Sequence, residues 1–142
     1  MTWFYNNQEI KELPEDCVGF VYIITNTISG KRYIGKKLAK FSKTTYKTVK
    51  LKNGKKKRKK IRGKIESDWQ DYYGSSPNLT ADIDKLGKEN FKREILHYCS
   101  SKSITSYIEA KEQFDRRVLE TEDYYNNNIQ VRVHGSHIIN KI

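Results

Sequence analysis

Cysteine is scarce in this chain. Cys17 and Cys99 lie far apart, and neither has a His or Cys beside it at ligand spacing. That argues against a disulfide scaffold and against a zinc site, and leaves two buried thiols in a reducing compartment as the expectation. Long hydrophobic runs are missing too. No stretch approaches the ~18 apolar residues that a membrane span needs, and the opening MTWFYNNQEI has no signal-peptide pattern. A soluble, cytoplasmic protein without a membrane partner is expected. Apolar residues reach only 36% of the 142 positions, against 32% charged. Ten Tyr, five Phe and two Trp make up for the thin supply of aliphatics. They suffice for one modest core, so the length reads as a single domain over 1–142.

Acidic residues are absent from 36–64. KKLAKFSKTTYKTVKLKNGKKKRKKIRGK holds fifteen Lys or Arg and no Asp or Glu, so the rest of the +11 chain sums to −4. One segment supplies the whole positive excess, which predicts a polyanionic partner, nucleic acid. Asn53-Gly54 is a strong turn signal, and the residues on either side read as a protruding basic hairpin, or as a loop that stays disordered until DNA arrives. Lys36, Lys50, Lys52, Lys55, Lys56, Lys57, Arg58, Lys59, Lys60 and Lys64 are the expected DNA contacts. Lysines on phosphates position a protein without reading sequence, and such binding weakens steeply with salt.

Around this insert the chain reads as alternating strands and helices. Residues 1–17 read as an irregular arm. GFVYIIT (19–25) suits a buried strand. A polar turn over 26–31 leads to a second strand, RYIG (32–35). IESDWQDYY (65–73) reads as the start of a short helix. Ser76 as N-cap, Pro77 at the first helical position and Gly87 at the end mark a clear one. FKREILHYC (91–99) reads as a strand, 100–122 as a long helix, and 129–142 as a tail with an extended segment. The fold class is α/β (α+β), a small antiparallel sheet flanked by helices with a basic hairpin insert.

Four residues stand out within that frame: Tyr22 in the first strand, Tyr33 ten residues later in Tyr33-Ile34-Gly35, Glu112 in Glu112-Gln113-Phe114 on the long helix, and Asn126 in Tyr125-Asn126. The order resembles the GIY-YIG nuclease family, and most of all its small phage-type members, free-standing homing endonucleases among them. The resemblance covers about residues 19–37 and 67–128. It implies a DNA endonuclease using Mg²⁺ or Mn²⁺. Glu112 would be its metal ligand, Tyr22 the base or its anchor, Tyr33 its support, and Asn126 would fix the loop by hydrogen bonds. The family's helix arginine after YIG has no counterpart here. Arg62 is the first candidate for that cation and Lys37 the second, with Lys36 and Lys64 also open.

The chemistry behind these roles is general. Phosphodiester cleavage needs an oriented or deprotonated water, positive charge at the phosphoryl oxygens and help for the leaving oxygen. A carboxylate can hold one Mg²⁺. A phenol near pKa 10 needs a nearby cation to act as a base, and Lys36 and Lys37 flank the motif. A helical wheel sets Glu112 beside the apolar stripe of the long helix and turns Glu109 away from it. The plain alternatives are strand aromatics that only pack, a solvated helix carboxylate, and turn asparagines. At the level of the whole protein they are a non-catalytic basic nucleic-acid-binding module or an RNA-binding protein. A lone active site cuts one strand at a time, so the chain works as a monomer or as a dimer.

Overall fold

The computed structural model describes residues 2–142, with the side chain of Lys43 left out. A five-stranded sheet runs in the order β2-β1-β7-β3-β4. Its strands are β1 (Trp3–Tyr5), β2 (Gln8–Ile10), β3 (Gly19–Asn26), β4 (Arg32–Leu38) and β7 (Phe91–Cys99). The β3–β4 hairpin turns at Asn26, whose side-chain oxygen accepts from the backbone N–H groups of Ile28 and Ser29. Gly30 completes the turn at φ +80, a conformation that costs glycine nothing.

Strand alternation sorts the core onto two faces. Phe20, Tyr22 and Ile24 of β3 pack with Trp3, Trp69, Leu79 and Ile83. Helix α1 (Pro77–Leu86) covers this face, and the Ser76 hydroxyl caps it by accepting from Leu79 N–H. Val21 and Ile23 point the other way, onto Ile34, Ile104 and Val118. Helix α2 (Lys102–Asp115) lies there against β4, β3 and β7. Gly19 permits that approach, because a Cβ on it would sit 2.7 Å from Thr105 Oγ1.

The segment 1–17 is not an irregular arm. β1 pairs parallel with β7 and antiparallel with β2, and the Trp3 indole donates to Trp69 O at 2.8 Å. The remaining sheet pairs, β3–β4 and β3–β7, are antiparallel. Residues 65–73 form no α-helix: 65 and 66 end a strand, and a short 3₁₀ turn follows at Trp69–Asp71. The tail has no strand among the described residues, only a 3₁₀ turn at Gly135–His137. Between β4 and that first 3₁₀ turn stands an antiparallel ribbon of β5 (Lys40–Lys50) and β6 (Lys56–Glu66). Lys36 and Lys37, read as the start of the insert, belong to β4.

Candidate active site

β4 is an edge strand, and the site is built along its outer side. Tyr22 pairs with Gly35 across the β3–β4 hairpin. Because Gly35 has no side chain, the Tyr22 ring crosses directly over it. A Cβ there would stand 2.6 Å from Tyr22 Cζ and 2.9 Å from Tyr33 Cε2. The two tyrosine rings lie 6.2 Å apart, and Tyr72 adds a third ring 5.9 Å from Tyr22. The register of β3 against β7 shifts between Val21 and Tyr22, a bulge of the kind that re-aims side chains beside functional sites.

Beyond Tyr33 opens a cleft of about 320 Å³, bounded by Tyr33, Lys36, Ser75, Ser76, Glu109, Gln113 and residues 125–128. Tyr33 OH lies 3.2 Å from Ser75 Oγ, and Lys36 Nζ donates to Ser106 Oγ at 2.7 Å. Asn126 closes the far wall. Its amide nitrogen donates to Ile34 O at 2.8 Å and its oxygen accepts from Ile34 N–H at 3.0 Å, so one side chain replaces a neighbouring strand. Gln113 also donates to Ile34 O.

The model of one protein family, described as "Putative endonuclease segE, GIY-YIG domain", matches residues 3–129. The chain belongs to the GIY-YIG endonuclease family. No curated protein and no solved structure matches it. The matched span takes in both tyrosines, the cleft residues named above and the whole ribbon, so in this GIY-YIG domain the ribbon lies inside the domain's limits.

The acidic member of the site differs from the sequence expectation. Glu112 does not face the tyrosines. Its carboxylate is held by Arg116 Nε at 2.8 Å and His97 Nε2 at 2.7 Å. Partial burial raises its pKa, yet the bonds from Arg116 and His97 prevail and hold it below the ordinary carboxylate range. Glu109, which the wheel turned away, lines the cleft. Burial raises its pKa, opposed by the Lys36 charge and by a hydrogen bond from the Lys36 backbone N–H. An apolar stripe drawn through Ile104, Tyr107 and Ile108 centres the inward face too far round the helix from Glu109, and Tyr107 is what displaces it. Tyr107 is exposed, whereas Thr105 and Gln113 are buried. Beside the inward Ile104 and Ile108 runs a polar row, Thr105, Glu109 and Gln113, one residue per turn, a signal that a search for apolar periodicity passes over.

The cations also sort differently. Arg62 stands exposed on β6, with Ser42, Thr44, Lys60 and Lys64, outside the cleft lining. Lys37 is tied to Asp68 Oδ1 at 2.6 Å and lies 4.2 Å over the Tyr72 ring; it does not line the cleft either. Lys64 is exposed on the ribbon. Of the nominated cations, Lys36 is the one at the cleft. Neither lysine of the motif strand makes a tyrosine acidic. Burial drives Tyr22 well above its usual pKa, helped by Tyr72, Tyr33 and Glu109. Burial also raises Tyr33, against a bond with Ser75 that lowers it. Both are neutral phenols at pH 7. Tyr22 is 1% exposed and lies beneath Tyr33.

Arg93 is buried, which nothing in its local sequence announces. Arg93 of β7 donates to Gln70 O and Tyr72 O, both at 2.8 Å, and stacks on Trp3 and Tyr73. It fixes the segment that carries Tyr72 and Ser75 toward the cleft.

Asn126→Asp puts a carboxylate oxygen against Ile34 O in place of a donor. The expected result is a loss of about 2 kcal/mol of stability, read as a lower Tm at neutral pH, with cleavage reduced in the protein that remains folded.

Proposed function

We propose that this protein is a divalent-metal-dependent DNA endonuclease whose scissile phosphate sits in the cleft at the β4 edge. The observation that carries the reading is the meeting of Tyr33, Lys36 and Glu109 around one polar cleft. Among the described residues no cluster of three or more His, Cys, Asp or Glu could hold a metal alone. That suits Mg²⁺, which is held by one or two carboxylates plus substrate phosphates and keeps several waters. Glu109 is the carboxylate in place, and the oxygen-rich lining matches a hard ion. When bound, such an ion polarises the phosphoryl oxygen and stabilises the leaving 3′ oxygen.

The chain's own residues supply the rest. Lys36 sets positive charge against the phosphoryl oxygens where negative charge builds up. Tyr33, anchored through Ser75, orients the attacking water as a neutral phenol. Tyr22 acts beneath it as a positioning residue, holding Tyr33 and Tyr72 in register. Asn126 keeps the far wall rigid, so that these groups meet the substrate already in place.

The test is nicking of supercoiled plasmid with Mg²⁺ or Mn²⁺, and its loss in EDTA. Tight binding with no cleavage of any DNA supplied would leave only a basic binding module. The reading also fixes a pH dependence. Burial favours the neutral form of Glu109, and only the ionised form holds a cation. The acid limb of kcat/KM therefore lies above the ordinary carboxylate range and moves to lower pH as metal is raised, because proton and metal compete. A limb insensitive to metal concentration would contradict the assignment.

A further inference from the structure

The ribbon is a strange object for a protein to build. Every residue of β6 is exposed, so the ribbon has no core of its own, and a lone two-stranded hairpin is at best marginal in water. Like charges even stand directly opposite one another, Lys47 on Lys59 and Lys50 on Lys56, which costs stability. The ribbon joins the body through a narrow neck. Ser67 N–H donates to Ala39 O at 2.9 Å, and Ser67 Oγ donates to Leu38 O at 2.6 Å.

Its two faces are unlike. Directly paired residues share a face. Arg58, Lys60, Arg62 and Lys64 lie opposite Thr48, Tyr46, Thr44 and Ser42, so each long cation stands against a hydroxyl. Arg58 lies 4.5 Å over the Tyr46 ring. The reverse face carries Phe41, Val49, Ile61 and Ile65, interspersed with lysines. The charge is thus arranged as a row. Along β6 one cation recurs at every second residue, ~6.8 Å apart, close to two base-pair steps of ~3.4 Å. Eleven residues per strand give a length of roughly 35 Å, about one turn of duplex DNA. A two-stranded ribbon fits the major groove, and hydroxyl and guanidinium groups are the chemistry that meets base edges there.

We propose that the ribbon lies in the major groove of duplex DNA through its Arg58–Lys60–Arg62 face, and so makes the cleft's substrate double-stranded DNA engaged over about a turn. This rests on the endonuclease reading and adds to it the form of the substrate and the face that meets it. A-form RNA has a major groove too deep and narrow for such an element, so double-stranded RNA is a poor competitor.

The test uses the full chain without metal, binding a labelled duplex of about 30 base pairs, followed by anisotropy across a salt series. Two triple variants remove the same charge from opposite faces: R58Q/K60Q/R62Q and K47Q/K57Q/K59Q. The first is expected to weaken binding about a hundredfold and to flatten the plot of log K against log salt by about 2.7, or 0.9 per lost phosphate contact. Lys57 and Lys59, DNA contacts in the sequence expectation, lie on the reverse face with Val49 and Lys47 and are not contacts in this arrangement, so the second variant is expected to cost about threefold or less, through net charge alone. Equal losses from the two faces would overturn the proposal, as would double-stranded RNA competing as well as DNA. Both variants lie outside the core, and an unchanged Tm checks that each is folded. Because binding is read without cleavage, a protein that shows the face dependence yet cuts nothing would refute the endonuclease reading, and with it the substrate half of this proposal, while the ribbon's seat in the groove would stand.

Discussion

Glu109→Gln is expected to lower DNA cleavage about a thousandfold or more, and to leave the protein at least as stable as before. The activity loss follows from removing the cleft's carboxylate, since a metal contributes several kcal/mol at the reacting phosphate. The stability result follows from the sign of the shift. Burial raises the folded-state pKa of Glu109. Its contribution to stability is therefore complete below the unfolded pKa and is lost as pH rises through the folded value. Above the folded value the ionised side chain is a burden on the fold, and a neutral isostere that still accepts from the Lys36 N–H relieves it. Glu112→Gln should behave in the opposite way. The Glu112 pKa is depressed, so its contribution is present above the unfolded pKa and disappears as pH falls through the folded one. Losing its links to Arg116 and His97 is expected to cost about 1 kcal/mol, with cleavage largely kept. Plasmid nicking and thermal melts on the two variants give a crossed pattern. If Glu112→Gln were the dead enzyme and Glu109→Gln the active one, the site as described here would be wrong.

Gly35→Ala is expected to be nearly as damaging to activity and far more damaging to the fold. The new Cβ would need space already held by the Tyr22 hydroxyl and ring. Tyr22 cannot retreat, because Trp3, Phe20 and Tyr72 surround it with ring centroids 5.4, 6.1 and 5.9 Å away. Overpacking of this kind costs about 2–3 kcal/mol. Displacing Tyr33 as well should cost at least about a hundredfold in rate, the usual effect of misplacing reacting groups by an ångström. Gly63→Ala is the matched control. That glycine lies on the ribbon with nothing within 4 Å of a new Cβ, and its melting temperature should not move. A fully active Gly35→Ala would mean that the tyrosine pair plays no part in cleavage.

Much of this arrangement was open to reading from the chain itself. The strands over 19–25 and 32–35, the cap of α1 at Ser76, the strand over 91–99 and the hairpin around Asn53-Gly54 all follow from local chemistry. Alternation, turn residues and caps act over a few positions, so they are visible there. The strands at 3–5 and 8–10 are three residues each; the first pairs with β7 some ninety positions away, which no local pattern announces, and the second pairs with the first. Glu109 was hidden for a related reason. Its face of α2 is buried against β4 yet polar: Thr105 donates to Ser101 O within the helix, and Gln113 donates to Ile34 O of the distant strand β4. Where a buried helix face is chosen for its hydrogen bonds, hydrophobic periodicity points at the wrong side. The tyrosine pair and Tyr125-Asn126 were legible as a motif, whereas their depth was not: that Tyr22 lies under Tyr33 depends on the absent side chain at Gly35.

The way β4 ends its sheet bears on how this protein keeps company with copies of itself. An open sheet border invites another strand, and proteins usually guard it with bulges, prolines or charge. Over residues 32–34 the guard is a stretch of the same chain. Tyr125 N–H donates to Arg32 O, Arg32 N–H donates to Asp123 O, and the Asn126 amide takes up both polar groups of Ile34. With that border occupied, strand-to-strand aggregation is shut out beside the cleft, and the region stays clear for its ligand even at the high local concentrations of a crowded cell.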